Sequence, residues 1–116
     1  MKRLVEFRCY KLKPGAGNEF HLLIANRAVQ LMRDCGMDVV AFGQSAQNPD
    51  DYLLLRAYEN LEQVLQLQED FYASEPWRNG PHEAIVALVE SNVNTVVWLP
   101  PEVIEGIRAS ILSSQA

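Results

Sequence analysis

The stretch that most constrains the fold of this chain runs from Leu4 to Gly15 and reads LVEFRCYKLKPG. Its residues alternate as in a β-strand, in which successive side chains point to opposite faces. One face is apolar, with Val5, Phe7 and Cys9. The other interleaves apolar residues with an acid, a base and a phenol, a pattern more typical of a cavity wall than of a solvent face. Residues 13–15, Lys-Pro-Gly, end the strand, because proline removes a ladder donor and glycine permits a turn.

Size and charge narrow the class of protein. A chain of 116 residues is long enough for one domain with a single core. Its net charge of −5 argues against a nucleic-acid partner and against binding to anionic membranes, since both need clustered lysine and arginine. No apolar run approaches the ~20 residues of a membrane span, and the start does not resemble a signal peptide. We therefore expect a cytoplasmic protein in which Cys9 and Cys35 are reduced, buried thiols.

The remaining pattern predicts helices and strands in a definite order. A helix begins near Asn18, a capping residue, and ends at Gly36, and a second begins at a capping box formed by Asn60 and Gln63. The apolar face of that second helix is predicted from its helical spacing. This face comprises Leu61, Val64, Leu65, Gln68 and Tyr72. Strands are predicted at 39–45, 52–58 and 93–99, with a turn at 48–51, a short helix capped by Ser74, another at 82–89, and a last helix at 102–112.

This order predicts an α+β fold, a ferredoxin-like βαββαβ antiparallel sheet with helices on one face. Residues 1–99 form the domain, and residues 100–116 form a C-terminal amphipathic helix or tail. Neither face of the first strand is an ordinary solvated surface, so a monomer with one face bare exposes a large apolar patch. We therefore expect a homodimer formed through the sheet, and the pattern leaves open which face is used.

Five polar side chains on two strands are candidates for a functional site. Strands one and three are neighbours in this fold, so residues of matching parity share a face. The candidates are Glu6, Arg8, Tyr10, Arg56 and Tyr58. An arginine fork suits a carboxylate or an enolate, and a tyrosine hydroxyl can donate or accept. If Glu6 is buried with either arginine, its pKa falls. The competing interpretation is a structural ion-pair network that fixes strand register or the dimer.

Other chemistry is weakly supported. His21 and His82 are far apart in sequence and no carboxylate–histidine cluster joins them, so we expect no metal site and no cofactor. There is no phosphate-binding glycine loop and no nucleophile elbow. Trp77 follows a proline at the start of a helix and Trp98 lies near the end of a strand. Both are typical core positions, and for both residues stacking against a ligand is the alternative.

Three segments resemble the NIPSNAP family, and the similarity spans roughly residues 4–98. The matching segments are Glu6, Arg8, Tyr10, Leu12, Lys13, Pro14 and Gly15; Arg56-Ala57-Tyr58-Glu59-Asn60-Leu61; and Glu75-Pro76-Trp77. The resemblance implies a dimeric α/β barrel, in which two ferredoxin-like sheets pack together with helices outside. The family has no settled biochemical activity.

The resemblance leaves three hypotheses, and whether the chain is an enzyme stays open. The first is binding of a small aromatic or carboxylate metabolite in a pocket between sheet and helices. The second is an enzyme of the same superfamily, either a cofactor-independent monooxygenase or a haem-handling protein with His21 or His82 as axial ligand. The third is a non-catalytic interaction or scaffold protein. A cavity with Arg8, Arg56 or a tyrosine hydroxyl in its wall favours the first, and a sealed apolar interior favours the third.

Overall fold

The computed structural model describes residues 2–115, and side chains over residues 2–110. Within that range one antiparallel sheet runs in the order β2-β3-β1-β4. Its strands are β1 (Arg3–Leu12), β2 (Asp38–Gln44), β3 (Asp51–Tyr58) and β4 (Val89–Leu99). The predicted ferredoxin-like α+β fold is confirmed, with β1 and β3 side by side. Strand β4 begins earlier than predicted, because its pairing with β1 continues past an irregularity to Leu12. Met1 and Ala116, at the ends of the predicted segments 1–99 and 100–116, lie outside the described residues.

Helices connect and cover the strands. They are α1 (Gly17–Leu23), α2 (Val29–Asp34), α3 (Leu61–Ala73), α4 (Glu75–Arg78), α5 (His82–Ala87) and α6 (Pro101–Gln115). A π-helical turn, Ile24–Ala28, joins α1 to α2. Gly36 ends α2 as predicted, with a φ of +86° that glycine adopts at little cost. Over residues 2–115, no helix combines the length and apolar character needed to cross a membrane.

The start of α1 differs from the prediction. The N-cap is Ala16, not Asn18, and its side chain provides no cap. A carboxylate from the β2–β3 turn replaces it, since Asp50 accepts hydrogen bonds of 2.9 Å from the backbone N–H groups of Gly15 and Gly17. A side chain at Gly17 would collide with the carbonyl of Pro49, so the close approach that permits this cap requires glycine.

Helix α3 begins as predicted, but its buried face overlaps the predicted one only in part. The Asn60 side chain accepts a hydrogen bond of 2.7 Å from the backbone N–H of Gln63. The predicted face was wrong at Leu61 and Leu65, which are 62% and 71% exposed, because the helix is rotated to bury Val64 and Phe71. The Ser74 prediction was also wrong. Its hydroxyl donates to the carbonyl of Phe71 at the end of α3 and does not cap α4.

The two faces of the sheet are covered unequally. The helix side holds the main core. On the opposite side α6 packs through Ile104 against Val5, Val40, Ala41, Leu55 and Ala57. Beyond α6 this face is uncovered, so Cys9 is exposed and Val93 is 67% exposed. The prediction that Cys9 is buried was therefore wrong, although both cysteines are free. Trp98, predicted to lie in the core, is 52% exposed on the edge strand β4.

Candidate functional site

The polar face of β1 points towards the helices. The register pairs Glu6 with Arg56 and Leu4 with Tyr58, so the acid, the arginine and the tyrosine share one side of the sheet. Leu4 is buried with Tyr58 and Val64 of α3, which identifies this as the helix-covered side. The sequence therefore predicted correctly which residues share a face, and the structure adds that the face is the inner one.

Glu6 and Arg56 form a fully buried ion pair. Both side chains are 0% exposed. The Arg56 guanidinium donates from Nε to Oε1 of Glu6 at 2.6 Å and from Nη2 to Oε2 at 3.1 Å. This two-point geometry is the strongest that an arginine makes with a carboxylate. The pair joins neighbouring strands and fixes their register.

Two further donors occupy the remaining acceptor positions of the Glu6 carboxylate. The Tyr58 hydroxyl donates to Oε1 at 2.9 Å, and the Gln68 amide of α3 donates to Oε2 at 2.7 Å. With the two bonds from Arg56, each carboxylate oxygen accepts two hydrogen bonds. A carboxylate offers about four acceptor positions, so Glu6 has none left. Sequence reasoning missed the role of Gln68, which the spacing of α3 placed only on the buried stripe.

These contacts set the ionisation state of Glu6. Burial alone would raise its pKa, but the hydrogen bonds and charge of Arg56, with the charge of Arg8 and the Tyr58 hydroxyl, hold the pKa below the ordinary 4.5. Burial raises the pKa of Tyr58, which therefore stays a neutral donor. The network at neutral pH thus contains an ionised acid, an ionised arginine and a protonated phenol.

Arg56 also reaches the helices. Its Nη1 and Nη2 both lie 3.3 Å from the hydroxyl of Tyr72 on α3. The sulfur atoms of Met32 and Met37 lie 3.9 and 3.8 Å from Nη1. The guanidinium is therefore held from the sheet by Glu6 and from the helix layer by Tyr72. This packing leaves Arg56 no room to turn towards another partner.

Arg8 lies next to the network without joining it. Its Nε is 3.5 Å from Oε2 of Glu6, within ion-pair range, and its side chain is 18% exposed. That Nε is buried and has no hydrogen-bond partner among the described residues. Arg8 is therefore held to Glu6 by charge at the limit of ion-pair distance, without the hydrogen bond that a buried donor usually makes.

A cavity of about 210 Å³ lies between the sheet and the helices, beside Arg8. Three predicted site residues line it, namely Arg8, Tyr10 and Trp77. The other three, Glu6, Arg56 and Tyr58, lie behind its wall and do not line it. Sequence reasoning missed the rest of the lining, which is Ile24, Met32, Tyr72, Ile85, Val86, Val89 and Asn92. Most of these lie at helical core spacing, so only the three-dimensional structure distinguishes a cavity wall from filled core.

A larger hollow of about 690 Å³ lies at one end of the sheet and includes Cys9, Leu53 and Val93 of the uncovered face. Neither Arg8 nor Arg56 lines it. Its lining mixes Cys9 and Val93 of the uncovered face with Tyr10 and Asn92 of the inner face, so we regard it as an open hollow at the end of the sheet. The inner cavity is the better candidate site, since the positively charged side chain of Arg8, which is only 18% exposed, forms part of its lining.

Comparison with known proteins identifies the family. The NIPSNAP family model matches residues 5–100. The chain belongs to the NIPSNAP family. No curated protein matches this NIPSNAP chain, so the remaining likenesses are to solved structures.

Two of those structures are NIPSNAP proteins. An uncharacterised NIPSNAP-like domain protein from Burkholderia xenovorans has a TM-score of 0.75 and 22% identity, over 84% of each chain. A family member from Agrobacterium tumefaciens has a TM-score of 0.77 and 15% identity, over 85% of this chain and 87% of its own. A protein from Nitrosomonas europaea, provisionally described as an antibiotic biosynthesis monooxygenase, has a TM-score of 0.60 and 19% identity, over 81% and 95%. At these identities the likeness shows the fold alone.

The histidines of this NIPSNAP protein lie outside the cavity lining. His21 places its Nδ1 2.6 Å from the hydroxyl of Tyr52. The ring of His82 packs against Trp77 with centroids 5.4 Å apart. The haem-handling hypothesis required one of these histidines as an axial ligand, and neither lines the cavity.

Proposed function

We propose that this NIPSNAP protein binds a small aromatic or carboxylate metabolite in the cavity between sheet and helices. The single observation that carries the proposal is that cavity, with the positively charged side chain of Arg8 in its lining. Ligand sites combine an apolar lining with a few placed polar groups, and this lining has that composition. A sealed interior would have favoured the scaffold alternative, and this interior contains a cavity. The monooxygenase alternative rests on fold likeness, which carries little weight for function.

The size of the cavity limits the ligand. An apolar cavity of about 150 Å³ is known to hold one benzene molecule. The volume here is about 210 Å³, and the aromatic ring of Trp77 forms part of the wall. The proposed ligand is therefore a molecule with one ring, or a branched aliphatic body of similar volume.

The buried network supports the cavity from behind. Glu6 and Arg56 hold β1 against β3, and Arg56 in turn holds the Tyr72 hydroxyl, which belongs to a cavity-lining residue. Preorganisation of this kind lowers the entropic cost of binding. The structural interpretation of the network and the binding proposal are thus compatible, because the network positions the wall and Arg8 remains for the ligand.

We further propose that the protein is a cytoplasmic homodimer, formed through the part of the sheet that α6 leaves uncovered. This surface, the open face, comprises Cys9, Val93, Thr95 and Val97, and it is bordered by Phe7 and Leu53, which are partly buried against the Ile104 cluster. A contiguous apolar face of a β-sheet is seldom left to solvent, and a second copy supplies a matching face. The two free cysteines accord with a reducing compartment.

A thermal-shift screen of one-ring carboxylates and neutral aromatics tests the binding proposal. We expect several compounds to raise the melting temperature of the wild type, and Val89→Phe to abolish these shifts because the larger ring occupies the cavity. The matched control is Val93→Phe, the same substitution further along β4 on the open face, which should keep them. If no compound stabilises the wild type, or if both variants respond like it, the binding proposal is wrong.

A further inference from the structure

The charges around the cavity do not balance. Among the described residues, Glu6 is the acid within ion-pair distance of Arg8, and it is shared with Arg56. One carboxylate therefore faces two guanidinium groups, and arginine stays protonated at any pH that proteins meet. The site carries one excess positive charge next to a cavity with an otherwise apolar or neutral lining.

Glu6 cannot satisfy Arg8 by a small movement. Its four acceptor positions are occupied by donors from Arg56, Tyr58 and Gln68 at distances of 2.6 to 3.1 Å. A hydrogen bond to Arg8 would require one of those buried donors to lose its acceptor. The distance of 3.5 Å between Arg8 Nε and Glu6 Oε2 is the consequence of this saturation. Glu6 thus has no acceptor position left for Arg8, and a carboxylate that enters the cavity can supply one, because Arg8 belongs to the cavity lining.

The neighbours of Arg8 in the cavity wall suit an anion. The amide of Asn92 and the hydroxyls of Tyr10 and Tyr72 belong to lining residues and can all donate. Burial raises the pKa of Tyr10, and although the Arg8 charge opposes that rise, the phenol stays protonated at neutral pH. No acidic side chain lines the cavity among the described residues, so nothing there repels an anion.

We propose that the ligand is a monoanion, a carboxylate whose charged group pairs with the Arg8 guanidinium while its apolar body lies against Ile24, Met32, Trp77 and Ile85. This inference rests on the proposed function and adds the charge of the ligand to it. A single excess positive charge is neutralised by a single negative charge. The planar guanidinium fork matches the two oxygens of a carboxylate, which makes Arg8 the residue that selects an acid over its neutral amide.

Benzoate and benzamide form a matched pair for the test, since they share one ring and nearly one shape but differ in charge. Isothermal titration of the wild type should show benzoate binding about 10-fold to 100-fold more tightly than benzamide, the range expected for hydrogen bonds to a charged group. Arg8→Met should reduce that ratio to about one without changing benzamide affinity. Arg33→Met, which removes an exposed arginine and the same net charge, should leave the ratio unchanged.

The outcomes separate this inference from the proposed function. Equal binding of benzoate and benzamide to the wild type, or a preference that survives in Arg8→Met, overturns the monoanion inference while the binding proposal stands. Phenylphosphonate, which can carry two charges, should bind more weakly than benzoate, and tighter binding would overturn the choice of a carboxylate. If Arg8→Met does not fold, the wild-type ratio alone decides, because it depends on no variant. If neither probe binds while neutral compounds from the screen do, the inference is wrong.

Discussion

We expect Glu6→Gln to lower the free energy of unfolding by about 3–5 kcal/mol, the usual cost of removing one partner from a buried ion pair. The substitution leaves Arg56 ionised and 0% exposed with no counter-charge. It also replaces one carboxylate oxygen by an N–H₂ group, so that this group faces hydrogen-bond donors which in the wild type meet an acceptor. Urea denaturation of the wild type and the variant measures the difference directly.

The control is Glu105→Gln, which removes the acid of the Glu105–Arg108 ion pair on α6. The Glu105 side chain is 63% exposed. Pairs of this kind contribute at most about 1 kcal/mol, so the control should unfold almost as the wild type does. Equal losses for Glu6→Gln and Glu105→Gln would show that the inner network contributes no more than a surface pair.

The pH dependence of the unfolding free energy provides an independent test of the Glu6 prediction. The folded pKa of Glu6 lies below its ordinary 4.5, so the unfolded chain takes up the proton first as the pH falls. The stabilisation by Glu6 is therefore complete above about pH 5 and is lost as the pH falls from there through the folded pKa. The difference between wild type and Glu6→Gln should shrink over that window. The pKa of Asp38 is also lowered. Burial raises it, but the hydrogen bonds and charges of Arg108 and Arg3 lower it by more. Asp38 therefore contributes the same pH dependence of the unfolding free energy to both proteins.

The second large effect concerns assembly. We expect the wild type to be a dimer at micromolar concentration and Val93→Glu to be a monomer. In a twofold interface each substitution occurs twice, so two unpaired charges are buried together and the dissociation constant should rise by at least ~100-fold. Sedimentation velocity over a concentration series measures this constant.

Leu65→Glu is the matched control for assembly. Leu65 is 71% exposed and Val93 is 67% exposed, so both changes place an acid on an exposed aliphatic position. Leu65 lies on α3, on the helix side of the sheet, and its substitution should leave the dimer intact. A monomeric wild type, or equal effects of the two substitutions, would contradict the proposed use of the open face.

The alternation of residues along β1 is enough to predict much of the site. A period of two shows that Glu6, Arg8 and Tyr10 share a face, and the strand order places that face beside Arg56. It does not show which face is inside, because a strand with polar residues on one side and apolar residues on the other can be covered on either. Which face is covered, and by how much, depends in part on α6, which packs against Val5 and its neighbours. Nothing in the sequence of β1 itself indicates this packing.

The cavity is beyond local prediction for a different reason. Met32 and Tyr72 lie at helical spacing, which predicts a buried stripe equally well for a filled core and for a cavity wall. A cavity is space that the side chains between packed elements do not fill. Its size depends on the distances among α3, α5 and the sheet. The exposed position of Cys9 has a similar origin, since it is set by where α6 stops covering the sheet.

Methyl-resolved NMR with benzoate as the probe tests the central claim, that the inner cavity binds a small ligand. For so small a ligand we expect a dissociation constant of about 1 mM. The methyl groups of Ile24, Met32 and Ile85 line the cavity, whereas Ile104 and Ile107 lie on the opposite face of the sheet. We predict saturable chemical-shift changes in the first three and unchanged signals from the last two. The absence of saturable shifts, or shifts concentrated at Ile104 and Ile107, would contradict the claim.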